Sequence, residues 1–252
     1  MIAPGRGGRP GAWLPPPAEA TSEELDRCPF DAGREDQTPP ETLRIGDPWQ
    51  VRVVPNLYPA FERQEVVIHT PEHVRSFADL SDAQVGLVAE AWQQRIAAAL
   101  DGGFGYVHAL INEGRLAGAS LPHSHSQLVW MREEPPAVSG EDSRLDELLA
   151  RDELRVLEQG EAAAFVHHAG AAPYESVVAG GTLADRLGAV RVLVSRLREL
   201  EGPFAWNAWL HAKDPKHVHV VPRLTALAGI ELGAGIYVNV LPPELAAERL
   251  RR

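Results

Sequence analysis

Apolar residues along the chain recur at two spacings. Short runs alternate, as half-buried strands do, and two longer stretches repeat every three to four residues, as helices do. WQVRVV (49–54) and EVVIH (65–69) read as strands on either side of the turn-like PNLYPAF. Ser81 then opens a helix. Ser81-Asp82-Ala83-Gln84 has the form of a capping box, Val85, Val88, Trp92, Ile96 and Leu100 follow at helical spacing, and Gly102-Gly103 ends the run. YVHALI (106–111) and QLVW (127–130) read as strands, and EDSRLDELLARDELRVLEQG (141–160) as a polar helical stretch. The same rhythm then returns. AAFVHH (163–168) and ESVVA (175–179) read as strands. Thr182 with Asp185 caps a helix striped by Leu183, Leu187, Val190, Val194 and Leu197, which stops at Gly202-Pro203. FAWNAWL (204–210) and HVHVVP (217–222) read as strands, followed by IYVNVL (236–241) and a short C-terminal helix from Pro242.

Each half thus runs strand, strand, helix, strand, strand, with a His-x-His at the start of its last strand, at 123/125 and 217/219. Strands joined by tight turns with one helix per half predict an α+β fold, an antiparallel sheet with helices packed on it, built by internal duplication. Three segments follow: an extended N-terminal arm over 1–48, rich in Gly, Pro and charge; a first half over 49–140; and a second over 141–252.

Composition narrows the function. The 252 residues carry a formal net charge of −11. Such an anion predicts neither nucleic acid nor an acidic membrane as partner, so cations that meet an anionic substrate must be gathered locally. The single cysteine, Cys28, excludes an internal disulfide and fits a reducing cytoplasm. The longest apolar runs fall well short of a membrane span, and the N-terminus lacks the apolar core of a signal peptide.

The chemistry concentrates in NEGRLAGASLPHSHSQLVW (112–130). Asn112, Gly114, Gly118 and Ser120 form a small polar loop leading into His123-Ser124-His125-Ser126-Gln127. On a strand, His123, His125 and Gln127 share a face. Three polar groups on one face are costly unless something binds there. Backbone N–H groups and Ser120 suit phosphate oxygens, and an imidazole beside them can attack phosphorus. His-x-His alone fits a solvated edge strand equally well.

With its loop, this segment resembles the active-site motif of the galactose-1-phosphate uridylyltransferase family, a branch of the histidine-triad superfamily. RGGRP (6–10), CPFDAGREDQTPPE (28–41), VRVVPNLYPAF (51–61), TPEH (70–73), PYE (173–175) and HVHVVPR (217–223) resemble further family segments, in family order. The resemblance implies two fused histidine-triad-like halves, the first catalytic and the second degenerate. It implies His125 as a nucleophile that becomes a nucleotidyl-histidine, passing a nucleoside monophosphate from a nucleotide sugar, a UDP-hexose, to a hexose 1-phosphate. Gln127, where hydrolase branches carry histidine, implies transfer over hydrolysis. Arg6 and Arg9 match phosphate-proximal arginines, Asn56 would face the nucleoside, and Asn112 and Ser120 the phosphates.

Two metal sites are implied. Cys28, Asp31, His73 and His123 would hold Zn²⁺, with Asp31 where the family commonly has cysteine. Glu141, His211, His217 and His219 would hold Zn²⁺ or Fe²⁺ in a structural role. Glu231 and Tyr237 resemble a late segment that reaches a neighbouring subunit, implying a homodimer. Ser124 between the histidines resembles the ADP-sugar phosphorylase or adenylyltransferase branch. That branch, a nucleotide-sugar hydrolase, and an idle nucleotide- or metal-binding protein stand as alternatives.

Overall fold

A computed structural model describes residues 1–8, 13–18, 21–139, 142–212 and 216–252. Its strands are β1 (Leu43–Ile45), β2 (Val51–Pro55), β3 (Arg63–Ile68), β4 (Tyr106–Glu113), β5 (His125–Met131), β6 (Arg155–Gln159), β7 (Ala162–Val166), β8 (Ser176–Gly180), β9 (Trp206–His211) and β10 (His217–Pro222). The helices are α1 (Ser22–Arg27), α2 (Asp82–Asp101), α3 (Pro136–Ser139), α4 (Asp142–Leu149), α5 (Leu183–Glu201), α6 (Gly229–Ala234) and α7 (Pro243–Arg251).

All ten strands join one antiparallel sheet, ordered β1-β2-β3-β5-β4-β9-β10-β8-β7-β6. The second half contributes five strands, the first half four and the arm one, β1, and the order reads alike from either edge toward the β4–β9 seam. There Asn112 pairs with Asn207, and the Asn207 amide donates to Asn112 Oδ1 (2.8 Å). Helices α2 and α5 lie side by side on one face, α2 over β1–β5 and α5 over β6, β7, β8 and β10. The α+β expectation is met.

The helix starts follow local chemistry. Thr182 and Asp185 close a full capping box on α5. Ser81 caps α2 through the Gln84 N–H (3.1 Å), but the Gln84 side chain does not reach back. Its amide instead donates to the Gln50 and His69 carbonyls (2.8 and 2.5 Å), stitching the helix start to two strand ends. Val85, Val88 and Trp92 are buried as their spacing predicts, whereas Leu100 is 52% exposed in the last turn of α2.

The arm carries one strand: Leu43–Ile45 pairs with Val51–Val53 and forms the sheet edge. One expectation needs correction. The helical stretch over 141–160 ends at Leu149, and Arg155–Gln159 is strand β6, paired with β7. Helical spacing of its charges hid a strand whose Val156 and Leu157 are both buried. IYVNVL adds one bridge, Asn239 to Ile2, which seats the N-terminus on the second half.

Candidate active site and metal centres

Alternation along β5 divides its side chains between two environments. Ser124 and Ser126 turn toward α2, while His125 and Gln127 turn to the opposite face with Leu110 of β4. The arm covers that face. Cys28 and Phe30 pack with Trp49, Val54, Val66, Ile68 and Leu121, and Phe30 meets His123 and His125 edge-on (centroids 5.9 and 5.5 Å).

His125 donates its Nδ1–H to the His123 carbonyl (2.6 Å). A carbonyl can only accept, so this bond fixes the tautomer and leaves the Nε2 lone pair free to act. Burial lowers the His125 pKa, which keeps the ring neutral and nucleophilic near pH 7. Two residues along, Gln127 Oε1 accepts from Gln64 Nε2 (2.6 Å), leaving the Gln127 amide group as a donor.

Asn112 lines the small cavity beside His125, together with Arg75, Gly114, Ala119 and Leu121. That cavity is about 20 Å³, room for one water. As it stands, this cavity takes nothing larger than water. Ser120 sits exposed on the same loop. Asn56 Oδ1 accepts from Tyr58 N (2.9 Å), so it is engaged in closing the β2–β3 turn. Arg6 is exposed on the segment that pairs with residues 237–239, with no described contact to the His125 site. Arg9 and Glu141 lie outside the described residues. Arg75, Gln64 and Asn207 were missed in the sequence because each reaches the site through strand pairing or a loop rather than a local motif.

Cys28, Asp31, His73 and His123 converge, with ligand atoms all within 4.8 Å of one another. His123 donates Nε2–H to the Thr70 carbonyl (3.0 Å), which turns its Nδ1 lone pair toward Cys28 Sγ (3.5 Å) and Asp31 Oδ1 (3.1 Å). His73 Nδ1 lies 3.0 Å from the same carboxylate oxygen. A lone pair facing a carboxylate needs a proton or a cation between them, and burial pushes the His123 pKa down to about 4. Zinc bonds of roughly 2.0–2.3 Å imply ligand separations of about 3.3–3.8 Å, close to these contacts. The donor set therefore fits Zn²⁺ with Asp31 in place, and the Thr70 carbonyl is the outer partner such a histidine requires. Without a metal, burial raises the Cys28 thiol pKa to about 11.

His211, His217 and His219 form a second buried cluster, with ring centroids 4.3 to 5.1 Å apart. Trp209 stacks on His219 and donates Nε1–H to His211 Nε2 (3.0 Å). A metal bound through that nitrogen would compete with Trp209 for its lone pair. The trio borders a cavity of about 870 Å³ between the sheet and α3–α4, also lined by His108, Met131 and Leu148. Volume alone would make this the ligand site. The neutral imidazole with its Nε2 lone pair free, however, is His125, beside the small cavity.

Residues 57–136 match the galactose-1-phosphate uridyl transferase N-terminal domain. An ADP-glucose phosphorylase from Arabidopsis thaliana is 25% identical over 100% of this chain and 89% of its own length. A galactose-1-phosphate uridylyltransferase from Streptomyces lividans is 31% identical over 69% of this chain, which spans about half (51%) of that protein. Among solved structures, the Arabidopsis ADP-glucose phosphorylase with bound ADP-glucose superposes with a TM-score of 0.84 at 24% identity, covering 100% of this chain and 94% of that one. A uridylyltransferase superposes at 0.75 and 23% identity, covering 94% and 93%. The two enzyme groups share the fold, and each matches the segment that carries His125. No helix among the described residues is long and apolar enough to cross a membrane. Residues 57–136 thus carry the galactose-1-phosphate uridyl transferase N-terminal domain, and the chain as a whole is similar to the uridylyltransferases and the ADP-glucose phosphorylases.

Proposed function

We propose that the protein moves a nucleoside monophosphate from a nucleotide sugar to a phosphate-bearing acceptor by way of a covalent adduct on His125. The observation that carries this reading is the bond from His125 Nδ1–H to the His123 carbonyl, which leaves a neutral imidazole with Nε2 unprotonated. Nε2 attacks the α-phosphorus, the P–O bond to the sugar phosphate breaks, and the sugar 1-phosphate departs with that oxygen. An acceptor phosphate oxygen then attacks the nucleotidyl-histidine, the P–N bond breaks, and His125 is restored as a neutral ring. The Gln127 amide donates to a phosphoryl oxygen without adding a titratable proton, and Arg75 supplies a cation beside the site. Cys28, Asp31, His73 and His123 would hold Zn²⁺, whose chemistry there is to fix the arm and the first histidine. Asn112, held by Asn207, faces the same cavity and would orient a phosphate.

Two donor and acceptor pairs fit this step: a UDP-hexose with a hexose 1-phosphate, and an ADP-sugar with inorganic phosphate. The match to ADP-glucose phosphorylase over the full chain, with Ser124 between the histidines, favours the second. Intact-protein mass spectrometry after brief incubation with UDP-glucose or ADP-glucose, without acceptor, tests both. One added nucleoside monophosphate, absent in His125→Ala, is the expected result and names the base. An adduct that persists in folded His125→Ala overturns the assignment.

A further inference from the structure

The back of the catalytic strand holds a polar cluster that the proposed chemistry does not use. His69 follows β3 and is fully buried. Its Nδ1 lies 2.9 Å from Ser124 Oγ and its Nε2 2.9 Å from Ser126 Oγ. Ser126 Oγ also accepts from Trp92 Nε1 on α2 (2.8 Å), an indole that can only donate. Phe77 packs edge-on against the imidazole (5.4 Å), and the His69 carbonyl accepts from Gln84 (2.5 Å). Three polar side chains inside an otherwise apolar layer cost more than a phenylalanine with two alanines, because each must be desolvated.

The bonds show what the cluster controls. The His69 N–H donates to the Ser124 carbonyl (3.2 Å), so backbone and ring of His69 grip the same residue. The Ser124 N–H donates to the Val74 carbonyl (2.6 Å). That N–H shares its peptide group with the His123 carbonyl, the acceptor of His125 Nδ1–H. The orientation of this one peptide therefore selects the tautomer of His125, and Ser124 is its handle. We propose that His69 is a positioning residue, which clamps Ser124 and Ser126 from behind the sheet so that the His123 carbonyl holds His125 with Nε2 toward the reacting phosphorus.

This inference rests on the proposed function, and the test separates the two. His69→Leu combined with Ser124→Ala replaces the polar pair with apolar groups, which keeps packing close to neutral. His69→Asn retains an amide at the position of Nδ1 and with it the Ser124 bond. Three quantities are measured in each variant: the single-turnover rate of adduct formation on His125 with ADP-glucose or UDP-glucose, the concentration for half-maximal rate, and Tm. A displaced nucleophile predicts a rate on the order of 10-fold lower or more in the double variant. Half-saturation should stay within about twofold and Tm close to wild type, with most of the rate recovered in His69→Asn. A wild-type rate in the folded double variant overturns the inference. If wild type itself forms no adduct, the proposed function fails, and a substrate-free observable decides the inference alone. The exchange-protected Nδ1–H resonance of His125 in ¹⁵N-edited NMR should be lost in the double variant. Its persistence there would overturn the positioning role.

Discussion

Glu113 stands where the loop leading to His125 leaves β4, and its carboxylate accepts from Ser76 Oγ (2.7 Å) and Phe77 N (2.8 Å). Those bonds tie the loop to the segment preceding α2, yet burial outweighs them and raises the Glu113 pKa. A carboxyl raised in the folded state stabilises fully below its unfolded pKa, about 4.3. That contribution is lost as pH climbs through the raised native value. Glu113→Gln removes the titration while keeping an acceptor. Wild type should therefore gain thermal stability relative to Glu113→Gln as pH falls from 7 to 5, read as the difference in Tm between the two proteins. A constant gap would mean Glu113 does not titrate abnormally. At this scale the sequence was legible where chemistry is local: His125, Gln127 and His123 sit in one pentapeptide, and Cys28, Asp31 and His73 do converge on His123. Groups that reach the site across strands, such as Asn207 and Gln64, left no local signal. Nor did the desolvation of Glu113, whose carboxylate meets Ser76 and Phe77 of the segment before α2.

The elements constrain the site through their ends. Gly114 begins the loop after β4 with φ +84°, and a Cβ there would stand 2.8 Å from Ala205 Cβ. Both facts require glycine, since the left-handed region and the close approach each exclude a side chain. Gly114→Ala should cost about 1–3 kcal/mol, with each kcal/mol lowering Tm by roughly 2–4 °C in a chain of this size. Because the same turn leads to His125, adduct formation should slow as well. Unchanged Tm and rate would show that the loop accommodates the methyl group. Helix starts were readable because caps are local: Ser81 and Thr182 each begin their helix. β6 was not readable, because its consecutive Val156 and Leu157 are both buried where the register shifts between Arg155 and Leu157, so the segment lacks strand alternation and is defined only by its pairing with β7.

At the scale of the molecule, the mirrored strand order lets one sheet serve two unequal halves. Salt bridges from Asp82 to Arg191 and from Asp79 to Arg198 (2.7 and 2.8 Å) join the α2 and α5 sides, and the β4–β9 seam joins the strands. The arm is secured differently. Its α1 has no buried residue, and Cys28 and Phe30 are the arm's anchors in the small core over β2 and β3. Asp31 reaches His73 and His123 through the cluster that fits zinc, and without an ion the His123 Nδ1 lone pair faces the carboxylate unscreened. The main core, under α2 and α5, contains none of these ligands. Chelation should therefore loosen the arm before it unfolds the sheet. Limited trypsin digestion after zinc removal should speed cleavage at Arg27 and Arg34 several-fold, while cleavage at Arg191 in α5 stays slow. Re-addition of Zn²⁺ should reverse the change in wild type but not in Cys28→Ser. Equal acceleration at all three sites would instead mean that the metal supports the whole fold, and no acceleration would mean that the apolar anchors suffice without it.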